Sequence, residues 1–154
     1  MIKVMFICHG NICRSPMAEF VMKDLVKKKG VEDLFEIASC ATSREEIGCD
    51  MHHGSKAKLR EIGIPFSRRQ AVQLTRADYD HYDYLLAMDS NNIRNIKRII
   101  PHDPDRKIHL LLEYAGELRS IADPWYTGNF DETYDDVRKG CDAFYKYLCE
   151  KGDL

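Results

Sequence analysis

The chain has 154 residues, 44% of them hydrophobic and 31% charged, with a formal net charge of −2 at pH 7. That length suits one domain of ordinary size with a real core, and that charge argues against a general binder of nucleic acid or other polyanions. No segment approaches 18 consecutive apolar residues, so no membrane partner is expected; the start Met1-Ile2-Lys3-Val4 lacks the parts of a secretory signal and suits a cytoplasmic protein.

Ile2 to Ile7 is a short apolar run and predicts a buried strand. A loop, Cys8-His9-Gly10-Asn11-Ile12-Cys13-Arg14-Ser15-Pro16, leads from it into a helical stripe of Ala18, Val21, Met22, Leu25 and Val26 that Gly30 stops. Pro16 suits the first helical position, and Ser15 is either its N-cap or a hydroxyl that also donates to Cys8. The basic run Lys27-Lys28-Lys29 suits the helix end, where cations meet the negative end of the dipole. Phe35 to Ser39 predicts a second strand, and residues 39 to 50 a loop. A helix runs from about His53 to Ile62, with His52-His53 as its solvated start and Gly63 as its stop. Gln73 to Tyr79 predicts a short helix that Thr75 can cap. Tyr84 to Met88 predicts a third strand, after which Asp89 or Ser90 caps a helix through about Lys97. Lys107 to Leu111 predicts a fourth strand, followed by a turn or short helix up to Gly116. Ser120 to Phe130 is expected to be a loop. Tyr134, Val137, Cys141, Phe144, Tyr145 and Leu148 then mark one face of a long closing helix, with Cys141 in the core.

Strands separated by helices predict an α/β fold: a parallel sheet with helices on both faces and right-handed crossovers. With no linker, repeat or low-complexity segment, residues 1–154 are expected to form a single domain. Ligands in such folds bind beyond the carboxyl ends of the strands, where the strand order reverses. Cys8 falls at the end of the first strand.

The loop carries the chemistry. Successive backbone N–H groups in a Gly-Asn loop that opens a helix converge on an anion, and the helix start adds its positive end. The same field favours a thiolate nucleophile over a thiol. Arg14 can grip two phosphate oxygens at once, which a lysine cannot do with that geometry. Six cysteines in 154 residues make the Cys-x5-Arg spacing weak alone. A strand before it, Gly-Asn within it and Ser-Pro after it make it specific. No metal is expected: there is no Cys-x2-Cys pair, and the six histidines are not spaced with the cysteines as zinc ligands. Cys13 shares the loop with Cys8, and reversible pairing of the two would protect Cys8 from irreversible oxidation.

A thiolate that attacks a phosphate ester needs a partner to protonate the departing oxygen and later to activate water. Two Asp-Pro pairs compete for that place. His102-Asp103-Pro104-Asp105-Arg106 reads as a surface turn. Asp123-Pro124 runs on into Trp125-Tyr126, two aromatic side chains able to flank a flat substrate, and Asp123 is therefore preferred.

The Cys8 to Pro16 segment together with Asp123-Pro124-Trp125-Tyr126 resembles the low-molecular-weight protein tyrosine phosphatases. Gln73-Leu74-Thr75 and Ala87-Met88-Asp89 fall where that family has similar segments, so the resemblance spans essentially the whole chain. It implies a four-stranded parallel sheet flanked by helices, and hydrolysis of phosphotyrosine through a phosphocysteine. Cys8 would be the nucleophile, Arg14 the transition-state clamp and Asp123 the general acid and base. His9, Gly10, Asn11, Ile12, Cys13 and Ser15 would form the phosphate loop. Asn11, Ser15 and Ser39 would be the hydrogen-bonded frame that holds this loop, and Trp125, Tyr126, His9 and Ile12 would line the pocket entrance. No cofactor is implied. The implied partners are phosphotyrosine-containing proteins or aryl phosphates, with inorganic phosphate as product. Two departures stand out: Glu45 occupies the place of a wall aromatic in the loop after the second strand, and a loop-supporting histidine is replaced near Arg69.

Other chemistries remain comparable on this fold. A thiol-dependent arsenate reductase needs resolving cysteines late in the chain near the loop, and none occurs between Cys49 and Cys141. A phosphoarginine phosphatase resembles this loop but has threonine where Ile12 stands; isoleucine suits an aromatic ring better than a guanidinium. A phosphocysteine carrier must preserve its intermediate, which an arginine clamp and a hydrolytic aspartate oppose. A silent phosphotyrosine-binding module would have lost Cys8, Arg14 or Asp123.

Overall fold

A computed structural model describes residues 1–154. Four parallel strands form one sheet in the order β2-β1-β3-β4: β1 Ile2–Cys8, β2 Phe35–Ala41, β3 Tyr84–Ala87 and β4 Ile108–Leu110. The expected α/β fold is present. β1 is central, and its side chains alternate between two cores. Val4, Phe6 and Cys8 join one, Met5 and Ile7 the other. A strand buried on both faces reads as a continuous apolar run, which is why the sequence shows no polar alternation there.

The first core lies under α1 (Arg14–Lys28), α2 (His53–Ile62) and the closing helix α6 (Phe130–Lys151), through Met17, Val21, Leu59, Val137, Cys141 and Phe144. Cys141 is fully buried there, as expected. The second core lies under α3 (Arg76–His81) and α4 (Ser90–Ile99), through Tyr79, Ile96 and the flanking Ile100. The strand order reverses between β1 and β3, so the loops that leave their carboxyl ends face one crevice.

Several boundaries differ from the sequence reading. α1 begins at Arg14, so Pro16 is its third residue and Ser15 is no N-cap; Cys13 holds that place without a capping side chain. The ring of proline costs nothing anywhere in the first turn, where N–H groups have no helical partner. The short helix after Gln73 starts at Arg76, and Thr75 closes a capping box with Asp78. The segment expected as a loop from Ser120 to Phe130 holds a four-residue helix, α5 (Pro124–Thr127), capped by Asp123. The closing helix starts at Phe130, one turn earlier than its apolar stripe announces, because Asn129 caps it through the Glu132 N–H at 3.0 Å.

Candidate active site

Cys8 is the last residue of β1, and the chain turns at once into the loop that opens α1. A cavity of about 110 Å³ sits over this turn. Cys8, His9, Gly10, Ile12, Cys13 and Arg14 line it from the loop, and Glu45, Glu46, Asp123, Trp125 and Tyr126 from the segments around it. Residues 115 positions apart are thus brought to one crevice by the reversal of strand order. Trp125 and Tyr126 are 57% and 83% exposed, so they stand as a rim rather than a buried wall. Also among the lining residues, His9 Nε2 and Glu45 Oε2 are paired at 2.9 Å.

Asn11, Ser15 and Ser39 lie beneath the loop rather than in the cavity. Asn11 adopts φ +57°, a left-handed conformation that asparagine tolerates better than most residues. Its Nδ2 donates to Ser15 Oγ at 2.8 Å and to Ser39 Oγ at 2.9 Å. Its Oδ1 accepts from the Val72 N–H at 3.2 Å and from the Arg69 guanidinium. Ser39 Oγ donates onward to Glu19 at 2.6 Å, and Lys23 holds the other oxygen of that carboxylate at 2.6 Å. Guanidinium and backbone N–H groups only donate, and a carboxylate only accepts, so the amide of Asn11 has one permitted orientation. Ser15 Oγ must then accept from Asn11. Its single proton is left for Cys8 Sγ at 3.0 Å in preference to the Cys40 carbonyl at 3.5 Å. The hydroxyl of Ser15 is thereby aimed at the sulfur.

Arg69 therefore stands where the resemblance leaves a support missing. Burial lowers its pKa from the ordinary arginine value, against the opposing pull of Glu19, Asp50 and Cys8. Its backbone N–H is held at 3.2 Å by Asp50, whose carboxyl is depressed to about 2, first by its bond from Lys56 and then by the Met51 and Arg69 N–H groups.

Arg14 is 2% exposed. Its Nη1 donates to Asp89 at 2.7 Å and to the Ile121 carbonyl at 2.9 Å, and its Nη2 faces Asp123 Oδ2 at 3.4 Å. Burial works against its charge, but Cys8, Asp123 and Asp89 outweigh it and raise the guanidinium pKa. Its Nε is buried with no acceptor in the protein. An orphaned N–H on a buried cation is costly unless an anionic oxygen meets it. Asp89 lies two residues past the end of β3 and serves twice: Oδ1 caps α4 through the Asn92 N–H at 2.7 Å, and Oδ2 orients Arg14. The sequence reading found the cap and missed the second role. The only signal was an acidic residue just past a strand end at the switch point.

The Asp123 loop is anchored rather than free. Ile121 is buried, its N–H donates to the Met88 carbonyl at 2.8 Å, and its own carbonyl accepts from Arg14. Asp123 Oδ1 accepts from the Trp125 N–H at 3.1 Å, which leaves Oδ2 facing the cavity. Asp103, the rival aspartate, is fully engaged elsewhere. It accepts from Tyr79 Oη at 2.7 Å and from the Lys107 and Ile108 N–H groups at 2.7 and 3.1 Å, bracing the start of β4.

Cys13 is buried, and burial first, then the charges of Cys8 and Asp123, push its pKa up to about 12, so it is a thiol at neutral pH. Glu46, Glu19 and His52 belong to this region and were not singled out as site residues in the sequence; each acts through contacts with distant segments. His52-His53 is not merely a solvated start, because His52 is partly buried and stacks on Phe130.

Residues 3–154 match the model of the low molecular weight phosphotyrosine protein phosphatases. The Bacillus subtilis low molecular weight protein-tyrosine-phosphatase YfkJ is 40% identical over 156 residues, with both chains covered in full. The crystal structure of YfkJ superposes with a TM-score of 0.94 at 37% identity, covering 99% of this chain and 97% of that one. A low molecular weight protein tyrosine phosphatase structure from Streptococcus pyogenes gives a TM-score of 0.84 at 43% identity, covering 97% and 93%. The chain belongs to the low molecular weight phosphotyrosine protein phosphatase family.

Proposed function

We propose that the chain hydrolyses phosphotyrosine monoesters with Cys8 as nucleophile, Arg14 as clamp and Asp123 as general acid and base. The observation that carries this assignment is the buried, unpartnered Arg14 Nε beside Cys8, with the Asp123 carboxylate across the same cavity. Phosphate oxygens at Nε and Nη2 would satisfy the guanidinium bidentately and displace Asp123 from it. Cys8 Sγ then attacks phosphorus in line. The bond from phosphorus to the aryl oxygen breaks, and that oxygen takes the proton carried by Asp123. In the second half, the Asp123 carboxylate removes a proton from water as it attacks phosphorus. The P–S bond breaks, Cys8 leaves as thiolate and inorganic phosphate is released. We read residues 1–154 as one domain, since both cores share the single sheet.

The slot between the Trp125-Tyr126 rim and Ile12 suits an aromatic ring, and nothing at Ile12 can pair with a guanidinium. Hydrolysis of matched phosphotyrosine, phosphoserine and phosphoarginine peptides tests this reading. Phosphotyrosine is expected to be preferred by about 10²-fold or more in kcat/KM, the discrimination of a site whose aromatic rim and Ile12 stack an aryl leaving group. Faster turnover of phosphoarginine would overturn the assignment of substrate.

The loop also makes a redox expectation. Peroxide should convert the Cys8 thiolate to sulfenic acid, and the Cys13 thiol should condense with it, releasing water and forming a disulfide. Reductant is expected to restore activity in the parent but poorly in Cys13→Ser. Peptide mapping that pairs Cys8 with Cys40 or Cys49 would refute the role given to Cys13.

A further inference from the structure

His52 touches both halves of the crevice. It is the N-cap of α2, and its backbone N–H donates to the Ile12 carbonyl of the phosphate loop at 2.8 Å. Its ring is fixed by accepting the Gly54 N–H at Nδ1, 3.0 Å away. The ring then meets Trp125 edge-on with centroids 5.6 Å apart, and it stacks on Phe130 at 5.4 Å and on His53 at 4.2 Å. Gly54 makes this assembly possible, since a Cβ there would lie 2.3 Å from the Phe130 ring. Trp125 is in turn the residue whose N–H holds Asp123 Oδ1.

We propose that His52 is a positioning residue that ties the phosphate loop to the Asp123 loop through Trp125, and that only its neutral ring does so. Nδ1 can accept the Gly54 N–H only while it carries no proton. An imidazolium would set two donors against each other and release the ring from its cap. Burial, and then the neighbouring His53, hold the pKa of His52 below the ordinary histidine value, in keeping with a ring built to stay neutral. The charged groups on the surrounding elements are committed elsewhere: Asp123 to Arg14, Asp50 to Lys56, Asp131 to Lys58, Glu132 to Asn129, and His9 to Glu45. None pairs with His52, so no carboxylate offsets its protonation. The inference builds on the reading of Asp123 as the acid, and the arrangement would make the acid loop loosen as pH falls.

Trp125 is the only tryptophan in the chain, so its emission reports this contact directly. Fluorescence of the substrate-free protein is titrated from about pH 7.5 to about pH 5, across and below the ordinary histidine range. The parent and His53→Asn are expected to show a one-proton change in emission. His52→Asn, which keeps a strong N-cap residue, is expected to lack it. At neutral pH the same variant should lose about tenfold in kcat on phenyl phosphate and less on nitrophenyl phosphate, with KM little changed, because a displaced acid matters most for a poor leaving group. A transition that persists in His52→Asn, or is missing from the parent, overturns the proposal. So does a His52→Asn enzyme with parental kcat on both esters. The fluorescence arm needs no turnover, so failure of the phosphatase reading would leave its outcome intact.

Discussion

Cys8→Ser is expected to lower turnover of aryl phosphates on the order of 10⁴-fold or more while inorganic phosphate or tungstate still binds within a few-fold of the parent. The two halves of that expectation have separate causes. A serine hydroxyl ionises far less readily than a thiol, and the single donor from Ser15 cannot make up the difference. Oxyanion binding draws on the loop N–H groups, the start of α1 and the Arg14 guanidinium, none of which the substitution removes. Loss of a negative sulfur also relieves repulsion of an incoming dianion. Steady-state kinetics paired with calorimetric titration of the oxyanion is the measurement. A variant that keeps parental turnover would exclude a phosphocysteine; a variant that loses both properties would mean that the loop itself had collapsed.

Asp123→Asn is expected to cost about 10³-fold in kcat on phenyl phosphate, shrinking to about tenfold on a dinitrophenyl ester, within the range that general acid catalysis supplies. A good leaving group departs without a proton, so the defect should follow leaving-group pKa. Asparagine is the informative replacement because it is as good an N-cap as aspartate, and the Trp125 N–H can still be held. The four-residue α5 therefore survives, and the loss reports chemistry rather than misfolding. A defect of equal size on every ester would remove Asp123 from the proton transfer. Asp103 would not then be the natural replacement, since its oxygens are occupied by Tyr79, Lys107 and Ile108 at the start of β4.

The parts of the site legible in the sequence are those written in adjacent residues. The phosphate loop follows its strand without a break, and Asp123 is followed at once by the two rim aromatics, so local order announces both. The order of strands and helices was also legible, because apolar stripes and glycine stops mark them. What was not legible is carried by pairs far apart in the chain. Arg14 meets Asp89 across 75 positions, Asn11 meets Arg69 across 58, and Ser39 meets Glu19 across 20. No spacing rule reports such contacts. Asp89 and His52 read by themselves as helix-start residues, a role that each does perform and that hid the other one. The short α5 escaped notice because four residues carry no periodicity.

Position 11 has consequences for how freely this chain can vary. Its backbone is left-handed, which favours glycine, asparagine or aspartate. Its side chain must present two donors on one side and an acceptor on the other, to Ser15, Ser39, Arg69 and Val72. Glycine meets the first requirement and none of the second; aspartate meets the first but brings no donor; glutamine meets the second at the wrong reach and in the wrong backbone region. The two sets intersect in a single amino acid. The proton that Ser15 aims at the nucleophile's sulfur is freed by the amide of Asn11, so a substitution at position 11 would disturb the sulfur without touching it.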